Sequence, residues 1–178
     1  MYINDTGYPS VTQIIRPYID TEWFKPEHSE RGIAVHNACE AYLKGVFIMP
    51  LKPEHQLYFD SFCKWADKAI DTVISTEERI VDPDRGYCGK YDAILKIKGD
   101  DQNSLWDWKT SQSKQSWWRL QASAYKNLIN NTCSKEIKRG GSIRLKNDGS
   151  GCLVDTWYDL KLEFNIFIGL LNAHNFFK

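Results

Sequence analysis

The sequence contains no apolar stretch approaching the roughly 20 residues that a membrane-spanning helix requires. Its five cysteines include no Cys-x-x-Cys pair, so neither a zinc ribbon nor a disulfide framework is indicated. Residues 1–10 also lack the basic and apolar regions of a secretory signal. We therefore expect a cytoplasmic protein with reduced thiols and no membrane partner.

Internal repeats, low-complexity segments and linkers are also missing. The 178 residues therefore predict one domain, spanning 1–178. A Walker A sequence is absent, which argues against a built-in motor. With 42% hydrophobic and 26% charged residues, the composition is typical of a globular protein.

An excess of positive over negative charge is confined to one segment. Residues 109–146 hold nine basic residues and one acidic residue, although the whole chain has a net charge of zero. A solvated face is the ordinary explanation of such a charge run, and it stays open here. The alternative is a surface for a polyanion, to which Arg119, Lys138 and Arg139 would belong.

The hydrophobic pattern predicts an alternation of helices and strands. Ser10 and Gln13 have the spacing of a capping box, so a short helix should follow Ser10 and end before Pro17. Further helices are predicted over 31–44 with a stop at Gly45, and over 53–73, 117–130 and 160–177. Strands are predicted over 75–81, 87–97, 104–110, 141–146 and 152–158. This order predicts an α/β fold, a mixed sheet flanked by helices.

The segment "LWDWKTS", residues 105–111, alternates two tryptophans with a carboxylate and an ammonium group. Alternate side chains of a strand share a face, so Asp107 and Lys109 lie about 7 Å apart on one face. Trp106 and Trp108 then point into the core. A buried ion pair adds little stability, because desolvation offsets the attraction. An edge strand with both charges in water remains the alternative to a functional pair.

The segment "GKYDAI", residues 89–94, places Asp92 within the preceding predicted strand. If the two strands are antiparallel neighbours, Asp92 lies beside Asp107. Two adjacent carboxylates repel each other, and a hard divalent cation bound through oxygen relieves that repulsion. Such a cation can acidify a bound water and polarise a phosphoryl oxygen, while Lys109 orients the water or neutralises charge.

The Asp…Asp-x-Lys arrangement on this order of elements resembles the PD-(D/E)xK nuclease superfamily. "RGIAVH" (31–36) and "QASAY" (121–125) resemble the histidine and Gln-x-x-x-Tyr motifs of its RecB-like branch. Within that branch, roughly the whole chain resembles the mitochondrial genome maintenance exonucleases and their phage and bacterial relatives. The resemblance implies a restriction-endonuclease-like core and a metal-dependent deoxyribonuclease. It further implies an exonuclease on single-stranded DNA ends, in a bacterial or phage-infected cytosol.

The resemblance also implies a metal site. Mg²⁺ or Mn²⁺ would be bound by the side chains of His36, Asp92 and Asp107. The backbone carbonyl of Trp108 would be the fourth ligand. Lys109 would act on the attacking water. Glu77 would support the metal site, with Glu78 as the rival position. The other ring nitrogen of His36 would need an acceptor, for which Glu40 and Glu77 are candidates.

Contacts to the nucleic acid follow from the same resemblance. Gln121 and Tyr125 would contact the nucleic-acid strand, or they would brace the β-strand that carries Lys109. Ser10 and Thr12 would lie where the amino-terminal segment meets the nucleic acid. No iron–sulfur cluster is expected, because the two late cysteines have no near neighbours.

Several alternatives to these roles remain open. His36 could be a surface residue, Tyr125 could belong to the core, and Trp117 and Trp118 are more often core residues than base-stacking platforms. At the level of function, one alternative is a non-catalytic nucleic-acid-binding or scaffold module of the same fold. A second is a structure-specific endonuclease. The presence of both carboxylates and the lysine argues against a degenerate fold.

Overall fold

This computed structural model describes residues 6–20 and 25–177, and its described part opens with helices. They are α1 (Val11–Ile15), a short 3-10 helix (Arg16–Tyr18), α2 (Pro26–Lys44) and α3 (Pro53–Ala69). The predicted capping box is confirmed: the Gln13 backbone N–H donates to Ser10 Oγ, and the Ser10 N–H donates to Gln13 Oε1. Gly45, at a φ of 64°, ends α2 as predicted, because glycine adopts the left-handed region without strain.

Seven strands follow in the described part of the chain, together with two more helices. The strands are β1 (Ile70–Thr76), β2 (Arg79–Asp82), β3 (Tyr87–Lys90), β4 (Ala93–Ile97), β5 (Asp100–Lys109), β6 (Arg139–Leu145) and β7 (Cys152–Trp157). The helices are α4 (Trp117–Thr132), which connects β5 to β6, and α5 (Lys161–Phe176). Among the residues described, no helix is long and apolar enough to cross a membrane.

The main sheet has the strand order β1-β4-β5-β6-β7, and β2 and β3 form a separate two-stranded sheet. The β5–β6 pair is parallel, while the other neighbouring pairs are antiparallel. A parallel pair needs a long crossover, which α4 provides. The predicted α/β fold, a mixed sheet flanked by helices, is therefore confirmed.

The two faces of the sheet pack against different helices. Trp106 and Trp108 pack with α2 and α3, where the Phe62 and Trp108 ring centroids lie 4.9 Å apart. Leu105 joins the core on the other side, which α1, α4 and α5 cover. The side-chain alternation predicted for this strand is thus observed, with both tryptophans buried.

Several predicted boundaries are wrong. The helix predicted over 31–44 begins at Pro26, and the strand predicted over 104–110 spans Asp100–Lys109. The helix predicted over 53–73 ends at Ala69, because the β-branched residues of "IDTVIST" favour the strand β1. The strand predicted over 75–81 is interrupted at Glu77, whose φ is 54°. The strand predicted over 87–97 breaks at Tyr91 and Asp92, where the chain passes from the small sheet to the main sheet. Asp92 therefore lies between strands rather than within one.

Candidate active site

Asp92 lies directly before β4, at the junction of the two sheets. The antiparallel register of β4 and β5 pairs Ala93 with Trp106. One position further along, Asp92 lies next to Asp107. Asp92 Oδ2 accepts a hydrogen bond of 2.8 Å from the Trp108 backbone N–H. The two carboxylates that the strand pattern places side by side are therefore neighbours in the structure.

His36 reaches the same place from α2. Its Nδ1 lies 3.3 Å from Asp92 Oδ2, and its Nε2 lies 2.9 Å from the Trp108 carbonyl oxygen. Glu40, one turn further along the helix, instead forms an ion pair with Lys44. The imidazole thus contacts one carboxylate and one backbone carbonyl of the predicted metal site, and Glu40 is not its acceptor.

Glu77 approaches from the turn between β1 and β2. Its positive φ is uncommon for a residue with a side chain and costs conformational energy. The Glu77 N–H donates to the Asp92 carbonyl at 2.9 Å, and its carboxylate contacts the Lys90 ammonium group. One ligand atom each from His36, Glu77 and Asp92 lies within 4.8 Å of the other two. Glu77 is therefore the glutamate beside this cluster.

Glu78 points elsewhere. Its carboxylate accepts hydrogen bonds from the Tyr91 hydroxyl at 2.6 Å and from the Lys135 ammonium group at 2.7 Å. Tyr91 also hydrogen-bonds to Ser75. These contacts anchor the residues on both sides of Glu77, so the turn holds the Glu77 carboxylate toward His36 and Asp92.

Asp107 lies outside that three-residue group and is turned toward Lys109. Lys109 Nζ contacts Asp107 Oδ2 and donates a hydrogen bond of 2.8 Å to Gln121 Oε1 on α4. The same ammonium lies 5.2 Å from the centroid of the Trp117 ring and 5.5 Å from that of Trp118. Gln121 thus braces the lysine.

The charges in the site oppose one another. Burial raises the pKa of Asp107 to about 6; the Asp92 charge adds to this effect and Lys109 counteracts it. Burial also works against ionisation of Asp92, but the charge and hydrogen bond of His36 hold the pKa of Asp92 below its usual value. Burial alone would lower the pKa of His36, yet Asp92 and Asp107 raise it to about 9. Burial and Asp92 raise the pKa of Glu77. A bound cation would favour the ionised form of every carboxylate here.

This donor set fits a hard divalent cation. Carboxylate and carbonyl oxygens suit Mg²⁺ and Mn²⁺, and an imidazole nitrogen favours Mn²⁺ over Mg²⁺. The candidate metal ligands that already face one another are His36, Asp92 and the Trp108 carbonyl. Either Glu77 or Asp107 would complete the set, since each lies beside Asp92.

Other predicted contacts have structural partners. Tyr125 is 6% exposed, and its pKa is raised by burial, while hydrogen bonds with Gln121 and Thr12 counteract that rise. Ser10 caps α1. The Ser10–Thr12 segment and Tyr125 therefore support Gln121 and, through it, Lys109.

The basic residues are scattered. Arg119 Nε pairs with Glu163 at 2.5 Å, on the wall of a cleft of about 560 Å³ between α4 and α5. Arg139 pairs with Asp100 at 3.0 Å, and Lys138 pairs with Glu136. Arg139 stands opposite Ser104 in β5, five positions or about 16 Å from Lys109. The structure does not bring Lys138 and Arg139 to the site.

A second cleft of about 660 Å³ opens beside the cluster, and its walls include His36, Arg31, Tyr58, Lys109 and Trp117. Sequence reasoning missed Arg31 here, and it also missed Lys90 beside Glu77. Both are charged residues inside segments that supply site residues, "RGIAVH" and "GKYDAI". Their places inside these two segments are the one feature of the sequence that could have identified them as site residues.

No family model and no curated protein matches the chain. Among solved structures, the crystal structure of SSO0001 is similar, with a TM-score of 0.54 and 15% sequence identity. The similarity covers 99% of this chain and 79% of that one. At this identity the two proteins share a fold, and the likeness carries no information about activity.

Proposed function

We propose that this protein is a metal-dependent deoxyribonuclease of the PD-(D/E)xK type, in its RecB-like branch. It acts with Mg²⁺ or Mn²⁺ as an exonuclease on single-stranded DNA ends. The observation that carries the proposal is the convergence of Asp92, Asp107 and Lys109 at the ends of two paired strands, with His36 reaching Asp92 from the covering helix.

The chemistry that this arrangement supports is phosphodiester hydrolysis. A divalent cation held by His36, Asp92 and their neighbours would acidify water and offset charge on the phosphate. Gln121 orients the Lys109 ammonium, which would hold the attacking water in line with the scissile bond. The sugar oxygen then leaves on the opposite side.

Energetics favour a catalytic site over a purely structural one. The Asp107 and Lys109 side chains are only 15% and 12% exposed, and a buried ion pair is a poor source of stability. The left-handed backbone conformation of Glu77 is a second energetic cost at this site. Such costs are common at functional sites and have no purpose in a scaffold of the same fold.

The cleft favours a single strand. Its volume of about 660 Å³ is in the range of pockets that hold small ligands, which suits one or two nucleotides. Trp117 on its wall offers a stacking surface that is indifferent to sequence.

End-labelled linear and circular single-stranded DNA, each with Mg²⁺ and with EDTA, test the proposal. We expect the linear strand to be degraded in Mg²⁺, and we expect the circle in Mg²⁺ and both substrates in EDTA to stay intact. Cleavage of the circle would indicate an endonuclease instead. Binding without cleavage in Mg²⁺ or Mn²⁺ would indicate the non-catalytic module.

Asp92→Asn is expected to weaken metal binding more than DNA binding. The change removes a negative charge that faces His36 while leaving the basic residues of the cleft intact. Calorimetric titration should show that the affinity for Mn²⁺ falls roughly 10-fold or more. Metal sites lose that much affinity even when the substituted residue only hydrogen-bonds to a ligand. DNA affinity in EDTA should stay nearly unchanged.

Asp101→Asn is the matched control, because Asp101 is an exposed carboxylate near the other end of β5. Its Mn²⁺ affinity should equal that of the wild type. An unchanged Mn²⁺ affinity in Asp92→Asn would remove Asp92 from the metal site.

A further inference from the structure

Arg31 on α2 faces the cleft without a carboxylate partner among residues 6–20 and 25–177. Its Nη2 donates one long hydrogen bond, 3.4 Å, to the Thr110 carbonyl oxygen. Its Nε is shielded from solvent and has no acceptor among the residues that the structure describes. Four other arginines differ in having a carboxylate partner: Arg85, Arg119, Arg139 and Arg144. Within the same residues, the Nε atoms of Arg139 and Arg144 also lack a hydrogen-bond acceptor, so the missing carboxylate is what distinguishes Arg31 from these four.

Packing, rather than a counterion, holds this guanidinium in place. The Arg31 Cζ atom lies 5.2 Å from the centroid of the Tyr58 ring, an arrangement that cation–π attraction favours. Tyr58 is 6% exposed, and its hydroxyl accepts a hydrogen bond of 3.5 Å from Gln112 Nε2. The guanidinium therefore presents its charge at the cleft wall with no carboxylate paired to it in the described part of the chain, and the geometry points to an anion supplied from outside the chain.

The position of Arg31 narrows the choice of anion. It shares the cleft wall with His36 and Lys109, where the reacting phosphate of the proposed substrate would lie. Arg31 and His36 are five residues apart on one helix, which corresponds to a rise of about 7.5 Å. This rise is of the same order as the distance between neighbouring phosphates of an extended strand, so Arg31 is placed to reach the phosphate next to the one beside His36. The planar guanidinium fork matches phosphate oxygens.

We propose that Arg31 binds the backbone phosphate adjacent to the scissile one and thereby sets the register of the strand in the cleft. This rests on the proposed nuclease function, because it takes the scissile phosphate to lie at the His36 and Asp92 cluster. Arg31 is then a substrate-binding residue that acts before any chemistry. Its contribution should be measurable in EDTA, where no cleavage occurs.

Binding of a 12-nucleotide oligothymidylate in EDTA, measured across a range of salt concentrations, tests the contact. Arg31→Gln should weaken affinity about tenfold or more, as loss of a hydrogen bond to a charged group does. The slope of log affinity against log salt should become shallower by about 0.7, the value for one lost phosphate contact on a single strand. Arg31→Lys should keep the wild-type slope but recover only part of the affinity.

Lys138→Gln is the control, since Lys138 is an exposed cation that lies away from the cleft. Its slope should match that of the wild type. Melting curves verify that each variant is folded, and Arg31→Lys retains the packing on Tyr58 if Arg31→Gln does not fold.

A set of oligonucleotides, each with one neutral methylphosphonate linkage, then locates the contact. At one position, the neutral linkage should weaken binding by the wild type. At the same position it should not further weaken binding by Arg31→Gln, because that variant has already lost the contact. Equal further losses in both proteins at every linkage, or an unchanged salt slope, would overturn the role of Arg31 while leaving cleavage by the wild type intact. Failure of the wild type both to bind and to cleave would instead overturn the proposed function, and this inference with it.

Discussion

Asp107→Asn is expected to abolish cleavage of single-stranded DNA while leaving the metal-free protein at least as stable as the wild type. The carboxylate lies beside Asp92 and against Lys109, so its loss removes both a candidate metal ligand and the partner that positions the ammonium. The rate should fall roughly 100-fold or more, as it does when one group that stabilises transition-state charge is removed. Cleavage of an end-labelled strand in Mg²⁺ measures this directly.

The stability of this variant should depend on pH. Burial raises the pKa of Asp107 from 3.8 to about 6, so its ionised form destabilises the folded state at pH values above about 6. Asparagine removes that cost, and its advantage should shrink as pH falls through 6 toward 3.8, because the wild-type carboxyl becomes protonated. Melting temperatures in EDTA between pH 8 and pH 5 would show the difference between the two proteins narrowing.

Lys109→Ala tests the other half of the pair, and it too should lose cleavage while remaining folded. Lys114→Ala is the control, because Lys114 is an exposed lysine that pairs with Asp155 on β7. The control should cleave as the wild type does. Near wild-type cleavage by either Asp107→Asn or Lys109→Ala would contradict the proposed site.

His36→Ala is expected to lose most of its activity in Mg²⁺ and to recover a small part in Mn²⁺. The imidazole contacts both Asp92 and the Trp108 carbonyl, so its removal takes away the one nitrogen donor of the cluster that the structure describes. Mg²⁺ loses its water shell reluctantly and needs near-ideal geometry, which makes it the more sensitive ion. Parallel cleavage rates and Mn²⁺ titrations measure the two effects.

Glu40→Gln is the matched control on the same helix. Glu40 is one turn from His36 but pairs with Lys44, so its substitution should leave activity in both metals unchanged. Full activity of His36→Ala in Mg²⁺ would exclude the histidine from the site and, with it, the RecB-like assignment. A nuclease site built on Asp92, Asp107 and Lys109 could still stand.

The sequence by itself determined the features that depend on neighbouring residues. A period of two separates Trp106 and Trp108 from Asp107 and Lys109, whatever lies on either side of the sheet. The capping box at Ser10 and the left-handed stop at Gly45 are also local, since each involves only one turn of helix. The order of elements was enough to predict a mixed sheet flanked by helices.

Only the tertiary structure decided which distant residues meet. Asp92 lies beside Asp107 because β4 and β5 pair antiparallel with Ala93 opposite Trp106, a pairing that the sequence could offer only as a condition. The break at Tyr91, where the chain changes sheets, is not signalled by local propensity. The register of β6 against β5 depends on how α4 packs across the sheet, and this register leaves Arg139 about 16 Å from Lys109. Arg31 from α2 and Tyr58 from α3 meet on the cleft wall, with the guanidinium over the tyrosine ring. Contacts between segments far apart in sequence depend on packing of the whole core, which no local pattern encodes.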